Sequence, residues 1–232
     1  MNKIVSVIKL IKDVITGKEC YFSIQQKKEV KWFGNTFCGF YVCSELLSEQ
    51  SIVYSFGVGE DISFDEELMK KGCMVYAYDP TPKSQVFIEK KNPSYLFSFK
   101  PYGIADYDGN AKFYLPENDE FVSCTTYNRW GYDESRKKPL MVEVKRLSTL
   151  MKENGHSHID LLKIDIEGSE YDVIDNILEE ELDIDQICVE VHHRFPGIGV
   201  RKTKDMVKKL NENGYFIVAI SNTREEYTFL RF

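Results

Sequence analysis

From residue 51 onward, short apolar runs alternate with amphipathic segments, and this rhythm admits very few architectures. Ser51–Phe56, Met74–Tyr78, Tyr95–Phe99, Ile159–Asp165 and Ile184–Val191 read as strands, apolar enough to be covered on both faces. Between them, Asp65–Gly72, Pro82–Lys91, Leu147–Asn154, Glu170–Glu180 and Lys202–Asn213 read as helices. Pro82 suits a first helical turn, and Gly72, Gly155 and Gly214 mark helix ends. Strands alternating with helices predict a doubly wound, Rossmann-like α/β sheet, mostly parallel. Tyr215–Ile220 and Tyr227–Phe232 lie too close together for a crossover helix, so this closing pair must be antiparallel.

The first fifty residues follow another pattern. Met1–Ile15 spaces Ile4, Val7, Ile8, Ile11, Val14 and Ile15 at helical intervals, with Lys3, Lys9 and Lys12 between them. An amphipathic helix is expected there, packed on the domain or serving as a lid, dimer contact or membrane-surface helix. Gly17 is its stop signal. Residues 20–43 are aromatic and weakly alternating, which predicts a small hairpin around Gly34-Asn35 and Gly39, and residues 44–50 read as a short polar helix. The expected division is an extension over residues 1–50 and a main domain over 51–232. The rhythm breaks at about 107–145, an insertion expected over the site, where Asp108-Gly109-Asn110 is a hairpin signal. Within it, Tyr127, Asn128, Arg129, Trp130 and Tyr132 have the mixed aromatic and polar character of an acceptor pocket.

A net charge of −7 over 232 residues argues against nucleic-acid binding as the main activity. The six cysteines form no CxxC pair and no zinc-type spacing, which fits reduced thiols in a cytoplasmic protein. No apolar run is long enough to span a bilayer.

Chemistry concentrates where strands end. Ile159–Glu170 begins apolar and then crowds Asp165, Glu167 and Glu170 around Gly168, as a buried strand does when it ends in a cleft. Lys163, inside that strand, should reach a neighbouring carboxylate, because an unpaired ammonium there would be costly. The plainer alternative is a core strand leading into a helix with an acidic first turn. Ser55-Phe-Gly-Val-Gly-Glu-Asp61 is a glycine-rich turn at the first strand end, suited to close backbone approach by a ligand. Ile62 stands where the dinucleotide fingerprint needs a third glycine, and acids follow where a pyrophosphate would want bare amides. A ligand bearing positive charge and hydroxyls matches better than a diphosphate. Asp79, ending the second strand, is placed to grip two ribose hydroxyls, or else to cap the next helix. Asp106 offers a further polar group at the same edge, or is a turn residue. Of the adjacent His192 and His193, only one can face the cleft, and His192 shares a face with Glu190.

Phe56-Gly-Val-Gly-Glu-Asp61, Tyr78-Asp-Pro80 and above all Leu161–Glu170 resemble the FkbM-type S-adenosylmethionine-dependent methyltransferases. The Ser55-Phe-Gly-Val-Gly turn and Glu190-Val-His-His193 are similar to the methyltransferase-like branch of that group. The similarity covers roughly residues 50–232, and Glu60-Asp61 replaces the family's commoner Asn-Gly-type loop. The resemblance implies the seven-stranded class I methyltransferase sheet with S-adenosylmethionine held by Phe56, Gly57, Gly59, Glu60, Asp61, Asp79, Pro80, Asp106 and Asp165. Asp61 would contact the methionine ammonium and Asp79 the ribose. Asp165, Glu167, His192 and His193 are the candidates for a general base toward an alcohol acceptor. No metal is expected, although Asp165, Glu167 and a histidine form a mixed set able to ligate one. The acceptor implied is a hydroxyl of a sugar, glycan or other small metabolite, with a homodimer possible. Two other classes are a nicotinamide-dependent oxidoreductase and a catalytically silent methyltransferase-like partner domain.

Overall fold

A computed structural model describes residues 3–114 and 139–232. Helix α1 (Lys3–Ile15) stops at Gly17 and leads to a hairpin of β1 (Lys31–Phe33) and β2 (Phe40–Val42), then a short 3-10 turn at Ser44–Leu46. The alternating part follows as β3 (Ile52–Phe56), α2 (Ser63–Lys70), β4 (Met74–Tyr78), α3 (Pro82–Lys91) and β5 (Phe97–Lys100). Next come β6 (Gly103–Ile104), β7 (Gly109–Phe113), β8 (Leu140–Lys145) and α4 (Leu147–Asn154). The chain closes with β9 (Ile159–Ile164), α5 (Glu170–Glu179), β10 (Ile184–Glu190), α6 (Val200–Glu212), β11 (Tyr215–Ile220) and β12 (Glu226–Arg231).

Seven strands form one sheet in the order β11-β12-β10-β9-β3-β4-β5. Pairing is parallel from β10 to β5, and β12 inserts antiparallel between β10 and β11. The sheet is the doubly wound, Rossmann-like one expected, closing pair included. Alternation along each strand divides the core between its two faces. Tyr54, Phe56, Leu162 and Ile164 pack with α4, α5 and α6 through Leu150, Ile174 and Leu210. Val53, Val75 and Leu161 pack the other way, against Phe64 and Leu68 of α2 and against Phe33, Phe40 and Val42 of the hairpin. The hairpin therefore shares the main core, and Cys43 N donates to Gln186 Oε1 of β10 at 2.7 Å.

Of the remaining expectations, one is narrowed, one changes and one lies outside the described residues. Ile8, Ile11 and Ile15 of α1 are 61%, 53% and 79% exposed, so that side of the helix does not pack on the domain. Asp108-Gly109-Asn110 closes no hairpin, because β6 and β7 flank β8 rather than each other. Asp108 instead accepts from Arg146 N and Thr149 Oγ1, both at 2.9 Å, tying this turn to the start of α4. The aromatic group at 127–132 lies outside the described residues, although β7 and β8 on either side pair antiparallel.

Candidate active site

Strand order reverses between β3 and β9, and the loops leaving these two strands part to opposite faces there. A cavity of about 460 Å³ occupies this edge. Its walls come from the turn after β3, the ends of β4, β6 and β7, the rim after β9, and Glu190 at the end of β10. Phe37 and Cys38 of the hairpin loop complete it.

The turn and the rim are fastened to each other. Gly57 has φ 85°, and a Cβ on it would stand 1.8 Å from Asp165 O, so only glycine permits the approach. Asp165 N donates to Phe56 O at 3.2 Å. The buried Lys163 ammonium donates to Gly57 O at 2.5 Å and Phe56 O at 3.2 Å, and lies 3.6 Å from Asp165 Oδ2. Its positive charge is thus spread over two carbonyls and one carboxylate, which is what makes an ammonium tolerable in this strand.

Asp79 is buried in the wall of the cavity. One of its oxygens accepts from Gly59 N at 2.9 Å, the other from Thr81 N at 2.8 Å and Thr81 Oγ1 at 2.6 Å. It braces the glycine turn and the start of α3, while Thr81 is the residue that caps that helix. A carboxylate has about four acceptor directions, so three donors leave capacity for a ligand. Asp61 also borders the cavity, but Ser63 N takes Oδ1 at 2.7 Å and Asn35 Nδ2 takes Oδ2 at 2.6 Å. Phe56, Glu60 and Pro80 line the same space.

At the far side, His192 Nε2 lies 3.9 Å from Asp165 Oδ1, 3.8 Å from Glu167 Oε2 and 3.7 Å from Glu190 Oε1. Its Nδ1 faces the fully buried Glu170 at 3.3 Å, and Glu170 also accepts from His192 N at 3.0 Å and Gly168 N at 2.8 Å. Burial works against the charged imidazole, but Glu170, then Asp165 and Glu167, outweigh it and push its pKa up to about 10. Burial, and after it the Asp165 carboxylate, push the Glu190 carboxyl up to about 9. An imidazolium has no lone pair with which to accept a proton. While His192 holds that proton, a base on this rim would have to be a carboxylate. Asp165, Glu190 and His192 each bring a possible ligand atom within 4.8 Å of the others. A divalent ion there would first have to displace the imidazolium proton.

The family model for the methyltransferase FkbM domain matches residues 51–217. The chain belongs to this family. Two relatives, the probable methyltransferase-like protein 24 of Homo sapiens and of Rattus norvegicus, are 25% identical over 170 residues and 24% over 171. Those alignments cover 69% and 72% of this chain but only 38% and 40% of the relatives' own lengths. Among solved structures, the FkbM methyltransferase from Methylobacillus flagellatus KT superposes with a TM-score of 0.50 at 12% identity. That superposition covers 82% of this chain and 46% of the other, a likeness of fold.

Two residues expected at this FkbM site lie elsewhere. Asp106 is exposed and outside the cavity wall, because β6 ends at Ile104 and the chain turns toward α4, where Asp106 O accepts from Arg146 Nε at 2.9 Å. His193 points away from the cleft, as the alternation of neighbouring side chains requires. It is buried against the N-terminal segment, with Nε2 2.8 Å from Glu19 Oε1 and Nδ1 3.2 Å from Thr203 Oγ1. Glu19 also pairs with Arg194 at 2.6 Å, so this cluster clasps residues 19–20 to the end of β10. Glu170, expected in the rim of acids, positions His192. Two other residues were not anticipated: Asn35 holds Asp61, and Asp65 sits buried in the cavity wall. An acid in a first helical turn carries no sequence signal that separates such a position from an ordinary dipole partner.

Proposed function

We propose that this chain is an S-adenosylmethionine-dependent methyltransferase that O-methylates a hydroxyl of a sugar, glycan or other small metabolite. The observation that carries the reading is the donor set around one cavity in an FkbM domain: a glycine turn, Asp79, and a rim of carboxylates. That set matches a cationic nucleoside and opposes a diphosphate, which speaks against a nicotinamide cofactor. Gly57 and Gly59 would let the backbone lie against the cofactor, and Asp79 would accept from the ribose hydroxyls. When bound, S-adenosylmethionine supplies the methyl group and an adjacent positive charge. The protein's share is to align the acceptor oxygen and take its proton.

Asp165 is the best candidate base. It lies at the joint between turn and rim, and its main chain is fixed by Phe56 and Gly57. The His192 imidazolium would stabilise negative charge developing nearby. Four buried unpaired thiols, Cys20, Cys43, Cys73 and Cys188, suit a reducing, cytoplasmic setting.

Titration calorimetry with S-adenosylmethionine and with NADH tests the cofactor. Heat with NADH alone would sink the reading. Release of S-adenosylhomocysteine across a panel of hydroxylated acceptors tests the activity, and cofactor binding without turnover would favour a silent partner domain. Asp165→Asn should lower turnover by roughly 10²–10⁴-fold with a much smaller change in cofactor affinity. Full turnover in that variant would remove Asp165 as base.

A further inference from the structure

We propose that Asp65, in the first turn of α2, receives the primary ammonium of the methionine end of S-adenosylmethionine. The assignment rests on the cofactor reading above and moves this role away from Asp61.

The acids bordering the cavity differ in what already holds them. Asp61 has one donor on each oxygen, from Ser63 N and Asn35 Nδ2. Asp79 has three donors, and Asp165 lies beside the Lys163 ammonium. Asp65 differs from all of these. It lines the cavity, is only 3% exposed, and its Oδ1 is buried without a hydrogen-bond partner among the described residues. Ser55 Oγ, also without a partner at hydrogen-bond distance, is the neutral donor beside it and pulls the Asp65 pKa down. A hydroxyl brings no counter-charge to a buried carboxylate, so what the position lacks is a cationic donor.

Charge selects which donor. The cation that acts on Asp65, Lys163, is committed to the carbonyls of Phe56 and Gly57. Burial pushes the Asp65 carboxyl up to about 6 against the pull of that lysine, the state of an acid short of a counter-charge. Of the parts of the proposed cofactor, the α-ammonium is the one that brings both a positive charge and several N–H donors. Asp65 lies where it would meet that end, because Gly57 and Gly59 line the same space and leave the backbone open to approach.

Calorimetry with three nucleosides separates this role from a structural one. S-adenosylhomocysteine carries the ammonium, its deaminated analogue lacks only that group, and 5′-methylthioadenosine lacks the whole amino-acid portion. The wild-type chain should bind the deaminated analogue at least about tenfold more weakly than S-adenosylhomocysteine, a loss typical of one charge-assisted hydrogen bond. Asp65→Asn should weaken S-adenosylhomocysteine by about the same factor and leave 5′-methylthioadenosine unchanged. Asp79→Asn should weaken both. Equal affinity of the wild type for S-adenosylhomocysteine and its deaminated analogue overturns the proposal, whether or not the variants fold. An equal loss on both ligands in Asp65→Asn also overturns it. Binding of none of the three nucleosides by the wild type overturns the methyltransferase reading and this assignment together.

Discussion

Gly57 faces Asp165 O so closely that a single methyl group decides whether turn and rim can meet. Gly57→Ala would place that methyl inside the carbonyl and hold alanine at φ 85°, a conformation costing about 1–3 kcal/mol for a residue with a side chain. The expected outcome is a variant with measurable thermal unfolding but no detectable cofactor heat, since the turn must move off the rim. Retained affinity would mean that the turn does not contact the ligand. Glu170 is the second decisive residue, because it satisfies Gly168 N and the main-chain N and Nδ1 of His192 from a fully buried position. Glu170→Gln keeps the volume and replaces the charge, so denaturant unfolding should show a loss of about 1–3 kcal/mol. That Glu170 stands in a rim of acids at the end of β9 was legible in the sequence, from three acids crowded around one glycine. That it is a brace rather than a ligand contact was not, because only the path of β10 brings His192 onto it.

The elements themselves were largely legible, for a physical reason. Strands covered on both faces must be continuously apolar, so β3, β4, β9 and β10 stand out with their boundaries nearly right. Turns were less so. Asp108-Gly109-Asn110 has the composition of a hairpin tip, yet Asp108 serves α4, and such composition cannot report which element a side chain will bond. The first fifty residues were harder again. The hairpin looks peripheral in sequence, but Phe37 and Cys38 line the cavity and Asn35 donates to Asp61. Asn35→Ala should therefore weaken cofactor binding by about 1 kcal/mol through a loosened Asp61 turn, measurable by calorimetry. Unchanged affinity would make the hairpin only a packing element. Helix α1 stands in contrast, with Ile8, Ile11 and Ile15 exposed, while Glu19 anchors the segment after it on Arg194 and His193. Removing residues 1–15 should leave the unfolding midpoint nearly unchanged, whereas Glu19→Ala should lower stability by about 1–3 kcal/mol, because it strands the buried His193 and frees Arg194.

At the scale of the whole molecule, the crowding of acids around His192 sets how stability responds to pH. Glu190 and His192 lie 3.7 Å apart and titrate as a pair. Burial and the Asp165 carboxylate raise Glu190 from an ordinary 4.5 to about 9. The surrounding carboxylates, overcoming burial, raise His192 from 6.5 to about 10. Both groups therefore hold protons in the folded chain that the unfolded chain has released. The His192 contribution is complete below pH 6.5 and is lost as pH rises through 10, while the cost of keeping Glu190 protonated grows above pH 4.5 until it ionises near 9. His193 and His156 are lowered by burial and oppose this trend only below 6.5, since above that value they are neutral in both states. With the folded chain binding more protons, stability must fall as pH rises, by about 1 kcal/mol per pH unit for each excess proton. Urea unfolding at pH 6.5, 8 and 9 should thus show decreasing stability. Glu190→Gln should flatten that decline, because it removes one of the two groups that hold an extra proton in the folded chain. A wild-type stability that stays level or rises over this range would show that the rim does not hold the extra protons, and His192 would return as a candidate base.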